Sequence, residues 1–169
     1  MCRVSSLSPL TKQYQKLMAD QETTIKALQE TENIKKPLAR YCRFLDTKQW
    51  TAFGELLTED VQLTFKDTAG NIIFQFYSRK EMLDLTAPML QSAVTIHYVN
   101  QPEITVLSET EASAIWALED QIIFPEGTAG APYRAMHGFG IYHQTLKKSD
   151  KGWQISSFIL DRLKLDITN

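Results

Sequence analysis

Apolar positions in the first part of the chain recur at helical spacing. Between residues 8 and 33 they fall three and four positions apart, with lysine, glutamine and glutamate between them, which is typical of an amphipathic helix. Ser8 followed by Pro9 offers an N-cap and then a proline at the first helical position. The pattern predicts an N-terminal helical arm within residues 1–33, which packs on its own domain or on a partner subunit. The apolar positions are Leu10, Tyr14, Leu17, Met18, Ile25 and Leu28.

A second helical pattern opens the remaining part of the chain, residues 34–169. Pro37 is expected to end the helix of the arm and to begin the next one, because proline cannot donate an interior helical hydrogen bond. The following apolar residues lie at i, i+3, i+4 and i+7, which predicts a helix to about Asp46. A second short helix is expected around residues 50–57. The apolar stripe of the first helix consists of Leu38, Tyr41, Cys42 and Leu45.

The period changes to two after this point. Val61, Leu63 and Phe65 alternate with polar residues, as in a half-buried strand, and a turn at residues 68–71 leads into a second strand at 72–77. Ser78 and Glu81 then form a capping box that begins another helix. The rest of the chain reads as four long strands, at about 94–107, 112–124, 134–147 and 152–163.

Long antiparallel strands must twist and bend, and Gly138 and Gly140 within one of them indicate bulges or a close approach. Helices followed by a bent sheet predict an α+β fold. We expect a cone-shaped, curved, mixed or antiparallel sheet with the N-terminal helices on its concave face. A blind pocket would lie between the helices and the sheet.

Composition and charge narrow the classes of function. The 169 residues fit one domain, and a net charge of −2 gives no reason to expect nucleic acid or an anionic membrane as partner. No apolar run is long enough to cross a bilayer, and the N-terminus lacks the apolar region of a signal peptide. Cys2 and Cys42 cannot form a disulfide framework, and Cys42 is expected to be a buried thiol. The expected location is the cytoplasm.

Two charged residues stand alone on otherwise apolar strand faces. Asp120 shares the even positions of its strand with Trp116 and Leu118, and Arg162 follows Phe158 and Leu160 in the same way. A buried carboxylate must be paired, protonated or next to water, and a guanidinium can bind it through two hydrogen bonds. The pattern predicts an Asp120–Arg162 pair. A bulge that turns Asp120 outward, or an ordinary core ion pair, is the alternative.

Three further residues are candidates for proton transfer. Tyr41 and Asp46 lie on the helix that should cover the pocket, and His97 lies in a strand. The unperturbed pKa of histidine lies near neutrality, which suits acid/base chemistry. The alternatives are that Asp46 ends its helix in solvent and that His97 is a hydrogen-bonded structural residue. A metal site of His97, His137 and His143 lacks tight ligand spacing.

The sequence contains no phosphate-binding glycine loop, no nucleophile elbow, no zinc-protease motif and no Cys-x-x-Cys. Nucleotide chemistry and covalent chemistry therefore lack support. The polar residues that remain suit proton transfer without a cofactor.

Several short segments resemble the SnoaL-like branch of the nuclear-transport-factor-two superfamily over about residues 34–163. Their order and spacing carry the resemblance, which is nearest to bile-acid dehydratase-like members. It implies a pocket of Tyr41, Asp46, His97, Asp120 and Arg162, in which His97 is oriented by Asp46 and moves a proton next to a carbonyl or to a leaving hydroxyl. The segments are Leu38-Ala-Arg-Tyr41, Leu45-Asp46, Ile96-His97-Tyr-Val-Asn100, Trp116-Ala-Leu-Glu-Asp120, Gly140-Ile-Tyr142, Gly152-Trp153 and Leu160-Asp-Arg162.

Two hypotheses about function follow. The first is a cofactor-free dehydratase or double-bond isomerase that acts on a hydrophobic, cyclic, hydroxylated or carbonyl compound. The second is a non-catalytic ligand-binding or assembly subunit, such as the small subunit of a ring-hydroxylating dioxygenase, because the fold by itself proves no chemistry. We also expect a homodimer through the outer face of the sheet. The expected substrate-pocket residues are Trp116, Leu118, Tyr142 and Phe158.

Overall fold

The computed structural model describes residues 8–169 and confirms the α+β class. Its residues group into two compact units, one up to Asn33 and one from Ile34 to Asn169. Cys2 lies outside the described residues. The elements are α1 (Pro9–Asp46), α2 (Trp50–Glu55), β1 (Leu57–Lys66), β2 (Ile72–Phe76), α3 (Arg79–Leu90), β3 (Val94–Val106), β4 (Glu111–Ile123), β5 (Ala135–Ser149) and β6 (Gly152–Thr168).

The first unit consists of the N-terminal part of α1. The predicted cap is present, because the Ser8 hydroxyl oxygen accepts a hydrogen bond from the Thr11 backbone N–H at 3.2 Å. The six apolar side chains of the arm are exposed, from 40% at Met18 to 78% at Leu10. Within its own unit the arm therefore has an apolar face without a core, and its role stays a prediction.

The expected helix break at Pro37 is wrong, because α1 continues through this residue to Asp46. Proline has no N–H to donate to the carbonyl four residues earlier, which typically costs about 3 kcal/mol in a helix interior. Here Pro37 is itself buried, and the neighbouring Ile34 and Leu38 are almost completely buried as well. Packing of this face outweighs the lost hydrogen bond, and a sequence pattern cannot weigh these two effects.

The six strands form one mixed sheet in the order β2-β1-β6-β5-β4-β3. Strands β1 and β6 pair in parallel, and all other neighbours pair antiparallel. Register shifts interrupt β5 against β6 at Phe139/Gly140 and at Thr145/Leu146, as expected for long strands that bend. β6 continues to Thr168 rather than ending near residue 163, where the side chains become largely exposed and the apolar alternation ends.

The core lies between the helices and one face of this sheet, which we call the inner face. It carries the even positions of β4 and β5 and includes Trp116, Tyr142 and Phe158. The Tyr41 ring of α1 stacks on Phe158 with ring centroids 5.3 Å apart. The parity predicted for β4 is confirmed, since Trp116 is buried and its neighbour Ile115 is 37% exposed.

The Ser78 half of the capping box before α3 is also present, whereas Glu81 binds the N–H of Tyr77 instead of that of Ser78. The Ser78 hydroxyl accepts from the Glu81 backbone N–H at 3.2 Å, and the Glu81 carboxylate accepts from the Tyr77 backbone N–H at 2.7 Å. Among residues 8–169, no helix has the length and apolar character that a membrane crossing requires.

The opposite, outer face of the sheet mixes ion pairs with apolar side chains. The His137 Nε2 atom lies 2.8 Å from a Glu119 carboxylate oxygen, and the His143 Nε2 atom lies 3.3 Å from an Asp161 carboxylate oxygen. Ile115 and Tyr98 remain exposed between them. The predicted homodimer would cover this face.

We predict that the protein is a dimer at micromolar concentration and that Ile115→Glu makes it monomeric, because a buried unpaired carboxylate opposes association. Light scattering measures the mass directly. Leu85→Glu on α3, whose side chain is also exposed but does not belong to the sheet, serves as the control and should leave the dimer intact. A wild-type protein that scatters as a monomer would contradict the prediction.

Candidate active site

Asp46 and His97 form a tightly held pair between α1 and β3. One Asp46 carboxylate oxygen lies 2.7 Å from the His97 Nδ1 atom, and the other accepts a hydrogen bond from the His97 backbone N–H at 2.9 Å. The side chains are 23% and 6% exposed, respectively. Because an ionised carboxylate can only accept, it favours a proton on Nδ1 and leaves the Nε2 lone pair for a substrate.

The end of α1 places Asp46 at this position. The Gln49 N–H bonds to the Phe44 carbonyl at 2.8 Å, and the Lys48 N–H bonds to the Leu45 carbonyl at 3.2 Å. These two bonds are those of a Schellman motif, which ends a helix and turns the chain away from its axis. Asp46 is the last residue of α1, so its side chain is free to reach β3.

Asp120 and Arg162 form a second pair, which is buried and bidentate. Arg162 Nη2 donates to one Asp120 oxygen at 2.7 Å, and Nη1 donates to the other. The two side chains are 4% and 7% exposed, so Asp120 does not turn outward. Burial alone lowers the pKa of Arg162, but the hydrogen bond and the charge of Asp120 outweigh it and raise that pKa. Arg162 therefore stays protonated inside the protein.

Strand register places the two pairs side by side. His97 is opposite Asp120 across β3 and β4, and Asp120 is opposite Gly138 across β4 and β5. A Cβ atom on Gly138 would lie within 3.0 Å of the Arg162 guanidinium and of the Asp120 carboxylate. Gly138 on β5 thus provides the space in which the Arg162 guanidinium reaches from β6 to Asp120 on β4. This is the close approach expected from the position of Gly138 in its strand.

Two buried tyrosines lie beside these charges. Burial raises the pKa of Tyr41 most, and Cys42, Asp120 and Asp46 raise it further. Burial likewise raises the pKa of Tyr142, with Tyr41 and Asp120 adding to the effect. Both phenols therefore stay protonated at neutral pH and can donate hydrogen bonds but not accept protons as bases.

The remaining predicted pocket residues share the inner face. Trp116, Leu118, Tyr142 and Phe158 are all buried there. Gln144, which was not among the residues predicted from the sequence, lies on the same face. Its two amide atoms lack a hydrogen-bond partner among the described residues, as does Trp116 Nε1. Buried polar atoms are normally paired. An apolar strand position occupied by glutamine was the signal available.

Tyr133, which lies between β4 and β5, was also not among the residues predicted from the sequence. Burial raises its pKa, Asp120 raises it further and Arg162 opposes the effect, so its phenol lies within electrostatic reach of the buried pair. Tyr133 lines a cavity of about 310 Å³ together with Phe124 and Arg134. Its loop shows no periodic pattern from which this role could be inferred.

A second cavity, of about 590 Å³, lies elsewhere, and its lining includes Arg40, Arg43, Arg79 and Trp153. Neither of these two cavities is lined by the five predicted residues. That those five residues share one cavity therefore stays a prediction.

The histidines do not gather into a metal site. His137 and His143 lie on the outer face with Glu119 and Asp161, whereas His97 lies on the inner face. No group of three potential metal-binding side chains occurs within residues 8–169. Burial raises the pKa of the Cys42 thiol to about 12, so Cys42 is not a thiolate nucleophile at neutral pH.

Comparison with known proteins agrees with this arrangement of elements. The family model described as a SnoaL-like domain matches residues 26–159. The chain belongs to the SnoaL-like family. A nearer likeness of this SnoaL-like domain to bile-acid dehydratases stays a prediction.

Individual proteins resemble this SnoaL-like protein in sequence or in fold. A probable cyclase of Gibberella zeae is 28% identical over 138 residues, which cover 77% of this chain and 89% of the relative. A putative scytalone dehydratase from Novosphingobium aromaticivorans shares the fold with a TM-score of 0.71 at 19% identity, over 86% of this chain and 92% of its own. An NTF2-like protein with a cystatin-like fold from the same organism matches with a TM-score of 0.67 at 18% identity. The match covers 86% of this chain and 90% of the other.

Gly138→Ala should destabilise this SnoaL-like domain, because the added methyl group overlaps the Arg162 guanidinium and the Asp120 carboxylate. Overpacking of this kind typically costs about 1–3 kcal/mol in the free energy of unfolding. Chemical denaturation measures the change. Gly54→Ala is a matched control, because its Cβ meets mainly the flexible end of the Leu83 side chain, and it should be nearly neutral. Equal stability of the two variants would contradict the prediction.

Arg162→Met should lower the free energy of unfolding by about 3–5 kcal/mol, because it leaves the Asp120 carboxylate buried without its partner. The double variant with Asp120→Leu should recover part of that loss, since it removes both charges. Thermal and chemical denaturation of the single and double variants measure this. Lys66→Met, which removes a partly exposed partner of Asp161, is the control and should cost about 1 kcal/mol or less. If Arg162→Met melts at the same temperature as the wild type, the pair does not contribute to stability.

Proposed function

We propose that this SnoaL-like domain is a cofactor-free acid/base enzyme, a dehydratase or double-bond isomerase of hydrophobic, cyclic, hydroxylated or carbonyl compounds. The observation that carries the proposal is the Asp46–His97 pair. The Asp46 carboxylate binds both the ring and the backbone of His97 and so holds the imidazole in one orientation. This is the arrangement that a histidine base needs, with one ring nitrogen oriented by a carboxylate and the other left for the substrate.

His97 begins the proposed reaction as a base. Its Nε2 lone pair takes a proton from the carbon next to a substrate carbonyl, and the electron pair moves onto the carbonyl oxygen to give an enolate. Asp46 stabilises the imidazolium that forms. Tyr41 donates a hydrogen bond to the substrate oxygen, which its protonated phenol can do at neutral pH.

The second half of the reaction returns the proton. In dehydration, the enolate electrons form the double bond while the β-hydroxyl leaves, and the proton held by His97 converts that hydroxyl into water. In isomerisation, His97 gives the same proton to another carbon of the conjugated system. Both reactions balance without an added oxidant, reductant or metal.

The Asp120–Arg162 pair would polarise this region rather than transfer protons. Each oxygen of the carboxylate is bound by the guanidinium. His97 is directly opposite Asp120, so the pair presents a fixed dipole beside the base. Fixed charges in a site with little water act more strongly than they would in solvent.

The relatives support a small-molecule reaction. One is named a probable cyclase, and one structure with the same fold carries the name of a putative scytalone dehydratase. The two names denote a ring-forming reaction and a dehydration, respectively. They leave the substrate of this chain to experiment.

A non-catalytic binding or assembly subunit is the second candidate function. The observation that favours it is the dense packing around the site, since Tyr41, Tyr142 and Phe158 are buried and in ring contact. A subunit of this kind needs the fold but not a base. It would therefore tolerate the loss of His97.

We expect the wild-type protein to catalyse exchange of the α-protons of 1-tetralone and 2-tetralone with deuterium in heavy water, measured by proton NMR. His97→Gln should lower the exchange rate at least about 100-fold, and Asp46→Asn should also lower it, because general-base catalysis contributes about 10²–10⁴-fold. This assay follows proton abstraction without requiring a leaving group.

His137→Gln is the matched control, because His137 also pairs with a carboxylate but lies on the outer face. It should exchange at the wild-type rate. Exchange that is insensitive to His97→Gln would contradict the proposed enzyme, and tight ketone binding without exchange would favour the second candidate.

A further inference from the structure

Lys48 adopts a backbone conformation that suits glycine. Its φ angle is 58°, in the left-handed region, and it occupies the position of the Schellman motif where glycine is preferred. A side chain at this position strains the backbone, because its Cβ crowds the adjacent carbonyl. Glycine at this position would end the helix without strain, so the presence of a lysine side chain needs another explanation.

The side chain of Lys48 is also partly buried. Its ammonium donates a hydrogen bond to the Thr95 hydroxyl at 2.7 Å, and Thr95 is a buried residue of β3. Burial lowers the pKa of Lys48, and the charge of Asp46 acts in the opposite direction. A lysine that only ended the helix could extend into water instead. Strain and burial thus coincide at one residue.

This ammonium lies beside the Asp46–His97 pair. Thr95 and His97 are two residues apart on β3, which puts them on the same face with Cα atoms roughly 6.6 Å apart, at about 3.3 Å per residue. Lys48 follows Asp46 by two residues in the chain. One of its three N–H groups binds Thr95, and the Trp50 ring centroid lies 5.9 Å from the nitrogen, which leaves at least one N–H group for a ligand.

The other nearby cation is already committed. Arg162 uses two of its nitrogens on Asp120, so that pair is neutral as a whole. Lys48, by contrast, donates to a neutral hydroxyl. The charge of Asp46 acts on Lys48 through space, and the ammonium still has a hydrogen-bond donor for an anionic group next to His97.

We propose that Lys48 binds an anionic oxygen of the substrate, so that this site takes hydrophobic ring compounds bearing a carboxylate or an ionised enol or phenol. The inference rests on the proposed function for the location of the reacting carbon, but the binding of the anion does not require that the protein be an enzyme. The ammonium would hold the acidic oxygen close to the carbon from which His97 takes a proton. A charge-assisted hydrogen bond of this kind is about twice as strong as a neutral one.

The test compares two probes of nearly the same shape, 2-naphthoate and 2-naphthamide, of which only the first is charged. Their dissociation constants are measured by NMR titration, following the backbone amide signals of Thr95 and His97. Wild-type protein should bind 2-naphthoate about tenfold more tightly than 2-naphthamide, which corresponds to about 1.4 kcal/mol. Lys48→Met should remove this preference, and Lys48→Arg should keep it.

A second pair of variants separates the amine from the backbone strain. Lys48→Gly and Lys48→Ala both lack the amine, so both should lose the preference. The glycine variant should melt about 2–4 °C above the alanine variant, because it relieves the left-handed strain. Gln101, with a φ angle of 51° at the irregularity of β3, is the matched control. The glycine variant of Gln101 should likewise have a higher melting temperature than its alanine variant. Both should keep the preference for 2-naphthoate.

Equal binding of the two probes by the wild type, or no binding of 2-naphthoate, overturns the inference. So does a preference that survives Lys48→Met. Failure of the proposed function gives a different result, in which ketone exchange is absent while the Lys48-dependent preference persists. His97→Gln distinguishes the two further, since it should abolish exchange and keep the preference.

Discussion

The buried ion pair between Asp120 and Arg162 is the interaction on which the rest of the inner face depends. Two charges that are almost inaccessible to water can persist there only because each binds the other through two contacts. The guanidinium must reach over β5 to contact Asp120 on β4, and Gly138 of β5 leaves space for it. A register shift lies next to this glycine, at Phe139/Gly140. The ion pair thus explains why the residue at position 138 lacks a side chain.

The Asp46–His97 pair connects this sheet to α1. Its two hydrogen bonds join residues 51 positions apart in the chain, and one of them involves the backbone of β3. The same carboxylate therefore fixes the position of the helix end and the orientation of the imidazole. Stability and the proposed chemistry use a single contact, so a change at Asp46 affects both.

Several departures from ordinary folding preferences lie in this part of the molecule. Lys48 occupies a glycine position, Gln144 is buried with unpaired amide atoms, and the Trp116 indole nitrogen likewise lacks a partner among the described residues. Each lowers the stability of the fold, and natural proteins tolerate such features mainly where a ligand is bound or a reaction takes place. Their common location on or beside the inner face supports a binding role independently of any relative.

The sequence by itself determined the elements and the faces of the strands. A period of 3.6 or two residues is a local property, so the helices, the long strands and the placement of Asp120 and Arg162 on apolar faces could all be predicted from spacing. The N-caps at Ser8 and Ser78 are local for the same reason. Even Gly138 could be recognised as a point of close approach from its position within a strand.

Only the tertiary structure decided which of these residues meet. Whether Asp46 points into solvent or toward His97 depends on where α1 ends relative to β3, and the contact of Lys48 with Thr95 depends on the same geometry. Pro37 stays within a helix because long-range packing outweighs a local preference. Contacts between residues far apart in the chain follow from sheet register and helix placement, and no short segment of sequence contains that information.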